Sequence, residues 1–275
     1  MDIDLDTGKL VTFLVGLLFF LVIEAIVPKR RQHQKKISRL LFHGGIATVN
    51  TVIIRLVAYV PLLLWIVFVE QKGWGLSRLL GLSGVVELLA SIVILDLFDY
   101  FWHRANHRFT PLWRFHKAHH TDTSMDVTTA LRFHPGELVI SSAIKAVWIV
   151  LWGPSAISWF VFEAAVSFSS QFHHSNIDFS DKSEKVFSTL IVTPRFHASH
   201  HAVDRHYGDR NFSTIFSLWD RLFGSLRLPI KNQNLDHFEI KMGLPEARNR
   251  AFSALYLLKE PLETSNLRLI RKKKV

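Results

Sequence analysis

Residues 82–120 read LSGVVELLASIVILDLFDYFWHRANHRFTPLWRFHKAHH. The first part, 82–102, is an apolar run that carries three acids, Glu87, Asp96 and Asp99. It is long enough to cross a hydrocarbon core, which takes about 20 helical residues. It runs straight into two histidine clusters, HRANH (His103, His107) and HKAHH (His116, His119, His120). A third cluster, HASHH (His197, His200, His201), lies further along the chain. Spacings of three and four put imidazoles on one face of a helix, and neutral imidazole is the commonest metal ligand in proteins. Eight histidines exceed the needs of one tetrahedral zinc and suit a pair of ions. Adjacent rings lie about 100° apart around a helix. His119 and His120, and likewise His200 and His201, can therefore diverge toward two different ions.

Outward from this stretch, the pattern predicts further membrane helices. Residues 10–27 form an apolar run with an acidic start (Asp2, Asp4, Asp6) and bases after it. A cleaved signal would have a basic start and a small-residue cleavage site, so this run is expected to stay as an anchor. Residues 46–69, interrupted by Asn50 and Arg55, form a second span. Residues 137–152 and 154–172 form a helical hairpin folded at Gly153-Pro154. Lys145 and Glu163 fall at matched distances from that turn. Because lone charges in a bilayer are costly, the two are expected to pair.

The chain has 275 residues, 49% hydrophobic, with no cysteine and a formal net charge of +10. Without thiolates, any metal must be held by His, Asp or Glu, and disulfides and iron–sulfur clusters are excluded. The basic runs KRRQHQKK (29–36) and RKKK (271–274) lie beside apolar segments and lack a nucleic-acid module. They read as membrane-topology charge, and no nucleic-acid partner is expected. Loop 28–45 carries Lys29, Arg30, Arg31, Lys35, Lys36 and Arg39 with no acid. The positive-inside rule makes it cytoplasmic, and counting spans from there brings all three clusters to the cytoplasmic side. The expected fold is all-α, a membrane helical bundle with a cytoplasmic helical cap that carries the histidines. Its divisions are a transmembrane region (1–80), a catalytic region (81–230) and a cytoplasmic tail (231–275).

Four residues join the clusters less directly. His174, in QFHHSNID, emerges from the hairpin toward the same side and is a candidate ligand, with His173 beside it. Asp99, one turn before His103, can orient that ring or pair with Arg104. His134, in RFHPGE, can support the site or simply begin a helix at Pro135. His33, His43, His206 and His237 lack cluster spacing and read as surface or structural.

From Asp96 to Arg227 the chain resembles the fatty acid hydroxylase / sterol desaturase superfamily of integral membrane non-haem di-iron enzymes. The resemblance rests on DYFWHRANH, LWRFHKAHH, TALRFHPGE, QFHHSN, TPRFHASHH and NFSTIFSLWDRLFGS. It implies metal ligation by His103, His107, His116, His119, His120, His197, His200 and His201, with His174 at a further ligand-like position. It also implies two iron ions, dioxygen as co-substrate, and hydroxylation or desaturation of a fatty acyl or sterol-like C–H bond. Zinc can replace iron in purified protein of this kind. No flavin or nicotinamide fingerprint is present, so a separate cytoplasmic electron donor is expected. Two other readings stay open. One is a zinc-dependent membrane hydrolase, against which stands the lack of a HExxH motif. The other is a metal transporter or sensor, whose ligands would sit within the spans rather than after them.

Overall fold

The computed structural model of the protein describes residues 5–30, 35–228 and 241–262. Asp2, Asp4, Arg31, His33, His237 and the run 271–274 lie outside the described residues. Thirteen α-helices and no β-strand occur among the described residues; isolated bridges join Ile191 to Phe216 and Ala202 to Met242. The long helices are α1 (Leu5–Ile26), α2 (Lys36–Ile54), α3 (Val60–Lys72), α5 (Gly84–Arg108), α7 (Pro135–Trp152) and α8 (Ala156–His174). Short helices α4 (Leu76–Leu79), α6 (Thr110–His120), α9 (Asp181–Phe187), α10 (Pro194–His200), α11 (Arg205–Gly208), α12 (Leu218–Leu222) and α13 (Ala254–Lys259) connect or cap them.

The apolar run 46–69 is one helical path with a defect. A π-turn, Arg55–Tyr59, separates α2 from α3. Pro61 follows it and has no N–H to give to the carbonyl one turn earlier, so the preceding turn widens. Asn50, which interrupts the run in sequence, is buried and donates to the Phe133 carbonyl at 2.8 Å. Among the described residues, two helical stretches are long and apolar enough to cross a membrane, Lys36–Leu79 and Pro135–Trp152; Leu10–Ile26 is apolar but shorter. Their outer faces leave large apolar side chains exposed, among them Leu14, Leu18, Leu56, Leu64, Val147 and Leu151.

The core lies where α3, α5, α7 and α8 meet, around Ile66, Leu95, Ile149, Trp152 and Phe162. The hairpin turns where the sequence places it: α7 stops at Gly153, in the left-handed region at φ 74°, and the Ser155 side chain caps α8. Lys145 and Glu163 pair at 2.6 Å, as their distances from the turn predict. At the turn, Gly75 (φ 104°) and Gly153 press backbone on backbone, and the Ser77 hydroxyl donates to the Gly153 carbonyl at 2.5 Å. A Cβ at Gly153 would run into the Trp74 carbonyl. Gly153→Ala is therefore expected to lower stability by more than the roughly 1–2 kcal/mol of a left-handed alanine alone. Gly81→Ala, at φ 66° with open space around it, should cost only that conformational amount. Equal melting temperatures for the two variants would contradict the crossing.

The basic loop behaves differently from a topology signal. Arg39 is fully buried between Asp122 and Asp126 at 2.9 and 2.7 Å. Lys36 reaches Glu24 at 3.3 Å, and Lys29 reaches Asp178 at 3.0 Å. Three of the counted bases, Lys29, Lys36 and Arg39, are thus paired within the protein, and the charge count alone does not establish sidedness. Of the region after 230, the described residues 241–262 contact the rest of the protein. Lys117 of α6 is ion-paired with Glu260, Arg132 donates to the Ala251 carbonyl, and Val203 N–H donates to the Lys241 carbonyl at 2.7 Å. Residues 241–262 thus close over the histidine-bearing helix.

Candidate metal centre

Four helices bring the histidines together. α5 ends in His103 and His107, α6 in the HKAHH cluster, α8 in His173 and His174, and α10 in HASHH. Pro111 and Pro194 sit in the first turns of α6 and α10, where a missing N–H costs nothing, and Thr193 caps α10 through the Phe196 N–H. These caps set where each short helix begins and hence which way its last turn faces.

Among the described residues, nine histidines form two groups, five (His103, His107, His116, His120, His200) and four (His119, His174, His197, His201). Within each group, the candidate ligand nitrogens lie within 4.8 Å of one another. Each doublet splits as its helical angle predicts. His120 and His200 join the first group, while His119 and His201 join the second. The groups adjoin, with the His120 and His201 rings stacked at 4.5 Å between centroids.

The donor atoms suit a cation. In the four-histidine group, His119 Nδ1 faces the Arg132 carbonyl at 3.1 Å and His174 Nδ1 faces the Ser170 carbonyl at 2.7 Å. A carbonyl only accepts, so both Nδ1 atoms carry the proton and both Nε2 atoms carry lone pairs. Those Nε2 atoms are 3.0 Å apart, and His197 Nε2 is 3.0 Å from His174 Nε2. Burial, then neighbouring imidazoles, hold His107, His119, His120, His197, His200 and His201 well below the ordinary imidazole range. With Nδ1 protonated, a neutral ring at His119 or His174 has no second proton to place between the two Nε2 atoms. A positive ion satisfies such facing lone pairs. In the five-histidine group, Nε2 of His107 and of His200 are buried without a hydrogen-bond partner.

Outer contacts aim these rings. His103 Nδ1 donates to the Phe212 carbonyl (2.8 Å), His200 Nδ1 to the Arg210 carbonyl (2.7 Å) and His116 Nδ1 to Glu137 Oε1 (2.7 Å). Asn211 lies between two of these carbonyls and adopts a left-handed φ of 57°, a conformation asparagine tolerates better than most residues. Its side chain donates to Ser199 Oγ and the Arg227 carbonyl and accepts from Arg227 N–H. Asp96 on α5 accepts from the N–H groups of Ile215 and Phe216 and from the Trp219 indole; Asp220 accepts from the N–H groups of Phe212 and Ser213. The NFSTIFSLWDRLFGS segment is therefore a braced loop that presents two carbonyls, and Trp219 is a buried anchor within it.

The remaining candidates fall elsewhere. Asp99 does not orient His103, whose Nδ1 is taken by Phe212; Asp99 Oδ2 accepts from Thr214 Oγ1 at 2.7 Å. His134 belongs to neither group. Its Nδ1 accepts from Gly136 N–H at 2.9 Å and so caps α7, because Pro135 fixes the helix start there. His173 lies against His197 with ring centroids 4.0 Å apart, but it joins neither group. His43 is buried between Thr128 and Arg132 in a structural role, and His206 is exposed. Glu137, which the sequence reading passes over, is the carboxylate that braces a histidine. Its signal was an acid in the first turn of a helix that begins at the HPGE proline. Glu137→Ala is expected to lower metal affinity about 10–100-fold, with Glu137→Gln between it and wild type, as read by competition against a chelator. Unchanged affinity in the alanine variant would remove Glu137 from the site.

A fatty acid hydroxylase profile matches residues 88–225. Among curated proteins, the ornithine lipid hydroxylase OlsE of Rhizobium tropici is 27% identical over 54% of this chain and 44% of its own length. Human alkylglycerol monooxygenase is 26% identical over 46% of this chain and 28% of its own. Human lathosterol oxidase is 26% identical over 53% and 48%. The chain thus spans less than half the length of these relatives. No solved structure matches. The profile covers half of the chain and every histidine of both groups, and the protein belongs to the fatty acid hydroxylase family.

Proposed function

We propose that the protein is a membrane-bound di-iron oxygenase that hydroxylates or desaturates a C–H bond of a lipid. The observation that carries this reading is the pair of adjoining histidine groups whose candidate ligand nitrogens lie within 4.8 Å of one another, with the Nε2 atoms of His119 and His174 facing at 3.0 Å. Five and four imidazoles suit two ions better than one zinc, and imidazole without thiolate suits iron among other metals. His103, His107, His116, His120 and His200 would hold one ion; His119, His174, His197 and His201 would hold the other. When bound, an iron pair supplies dioxygen activation.

This chain's own residues then perform three tasks. Glu137 and the carbonyls of Phe212, Arg210, Arg132 and Ser170 keep the Nδ1 atoms protonated and the rings aimed. Burial of the histidines excludes bulk water from the reacting atoms. An apolar groove of about 260 Å³ between α5 and α7, lined by Phe98, Phe101, Trp102, Ile144 and Trp148, offers a place for a lipid chain on the helix that carries His103. The relatives' names all denote oxidation, of ornithine lipid, alkylglycerol and lathosterol, which favours a lipid substrate for this chain.

The exposed apolar faces of α1, α3 and α7 support a bilayer location, with region 81–230 as the catalytic part; a metal centre at the cytoplasmic end of the bundle is the placement that the base-rich 28–45 segment favours. A hydroxylation takes two electrons and two protons: one oxygen atom enters the C–H bond and the other leaves as water. The electrons come from a separate donor. The test is metal analysis of protein purified from its native membrane, followed by oxygen uptake with a reductant and lipid substrate. About two iron per chain and an oxidised lipid product are expected. One zinc per chain without oxygen uptake would favour the hydrolase instead.

A further inference from the structure

The proposed oxidation needs electrons from outside, yet the histidines are largely sealed. His116, His120 and His200 are each no more than 4% exposed. Half-buried Trp113 touches the five-histidine group from the surface side. Its ring centroid lies 5.0 Å from His107, 5.4 Å from His120 and 6.1 Å from His116. Phe212 also packs on this group but is fully buried.

The segments that bear these residues are basic. Positions 104–114, RANHRFTPLWR, contain Arg104, Arg108 and Arg114 and no acid. Arg108 is exposed, and Arg104 and Arg114 are half-buried. Arg210, whose own carbonyl orients His200, joins Arg104 at the 223–225 turn. Arg210 donates to the Gly224 carbonyl, and Arg104 to a Tyr100 hydroxyl that is itself bonded to Ser225. Asp209 is the acid of the 209–212 stretch, and it faces His107 Nδ1 at 3.5 Å. Among the described residues, no ion pair ties Arg104, Arg108, Arg114 or Arg210 to a carboxylate as Arg39 is tied to Asp122.

Building on the oxygenase reading, we propose that the basic rim around Trp113 is the docking face for an acidic one-electron carrier protein, with Trp113 as the relay between that carrier and the five-histidine group. The carrier is oxidised by one electron at each encounter and a metal ion in the group is reduced by one; two encounters supply one turnover. Complementary charge speeds encounter and makes it depend on salt. Electron-transfer contacts are small and short-lived, which suits three arginines on α5 and α6 and a fourth, Arg210, on the loop after α11. Tunnelling falls steeply with distance, so an indole in ring contact with three candidate ligands shortens the gap a surface-bound carrier must cross.

The test uses the full chain in detergent, iron-loaded, with reduced flavodoxin, an acidic one-electron flavoprotein, as the probe. Stopped-flow oxidation of flavodoxin is followed without oxygen, with dithionite as a small reductant for comparison. Arg108→Glu combined with Arg114→Glu should slow the flavodoxin reaction about tenfold at low salt and flatten its salt dependence. Trp113→Leu should leave iron content and flavodoxin affinity unchanged and slow reduction by flavodoxin about tenfold, with Trp113→Phe recovering part of the loss. Dithionite should reduce all variants alike. Wild-type flavodoxin rates in the variants would overturn the proposal. So would a loss shared equally by dithionite, or turnover driven by ascorbate while flavodoxin fails to bind. Should wild-type protein take up no iron, the oxygenase reading falls by itself. Flavodoxin affinity for the metal-free chain, and its loss in the arginine variants, still judges the docking face.

Discussion

His120→Ala or His200→Ala is expected to abolish lipid oxidation and lower metal content while leaving the helical bundle folded and membrane-inserted. Each histidine belongs to the five-histidine group, and each sits in ring contact with a member of the other group, His120 with His201 at 4.5 Å and His200 with His197 at 5.1 Å. Losing either ring removes one nitrogen donor and loosens the wall between the two candidate ion positions. The folding cost is smaller than the functional one. Among the described residues these rings lie at the ends of α6 and α10, away from the core of Ile66, Leu95, Ile149 and Phe162. His206→Ala, at an exposed histidine outside both groups, serves as the control. Metal analysis, product analysis and circular dichroism read the three effects separately. Full activity in either cluster variant, or equal metal loss in His206→Ala, would dismantle the assignment.

Arg39→Met is expected to destabilise the protein by about 3–5 kcal/mol, the usual result of breaking a buried ion pair from one side. The guanidinium is fully buried, pairs with both oxygens of Asp122 at 2.9 Å and reaches Asp126 at 2.7 Å. Methionine fills similar space but takes the guanidinium away from two buried carboxylates. Combining Arg39→Met with Asp122→Asn and Asp126→Asn should recover much of the loss, because the removed charges no longer need a partner. A single variant as stable as wild type in thermal unfolding would refute this account.

The same cluster sets a pH dependence. Burial alone would raise the Asp122 carboxyl, but Arg39 and the other nearby cations outweigh it and hold it below the ordinary carboxylate range. A group with a depressed folded pKa contributes stability above its unfolded value, about 3.9, and loses it as pH falls toward the folded value. This contribution should be full at neutral pH and fade only below about pH 4. Arg39→Met should remove that acid-side slope. The effect reaches the metal centre, because Asp122 and Asp126 fold the stretch before Arg132, whose carbonyl aims His119.

Much of the site was legible in the chain because helical periodicity is a local property. Spacings of three and four put His103 with His107 and His116 with His120, and the doublet angle sends neighbouring rings to different groups. The Gly153-Pro154 turn and the matched depths of Lys145 and Glu163 are also local, one fixed by backbone chemistry and the other by counting residues along two helices. What braces the rings was not legible. The acceptors for His103, His119, His174 and His200 are backbone carbonyls, which every residue carries and no sequence marks. The acid at position 137 reaches His116 only because α6 and α7 pack against each other.

By itself the sequence determined an all-helical chain with apolar segments, clustered nitrogen donors and a reversal at Gly153. Each of these follows from the next few residues along the backbone. Tertiary structure alone decided that nine rings divide five and four, that Asp99 serves Thr214 rather than His103, and that Arg39 turns inward to two aspartates. These depend on which distant segments meet: a carboxylate or guanidinium takes whichever partner burial places beside it.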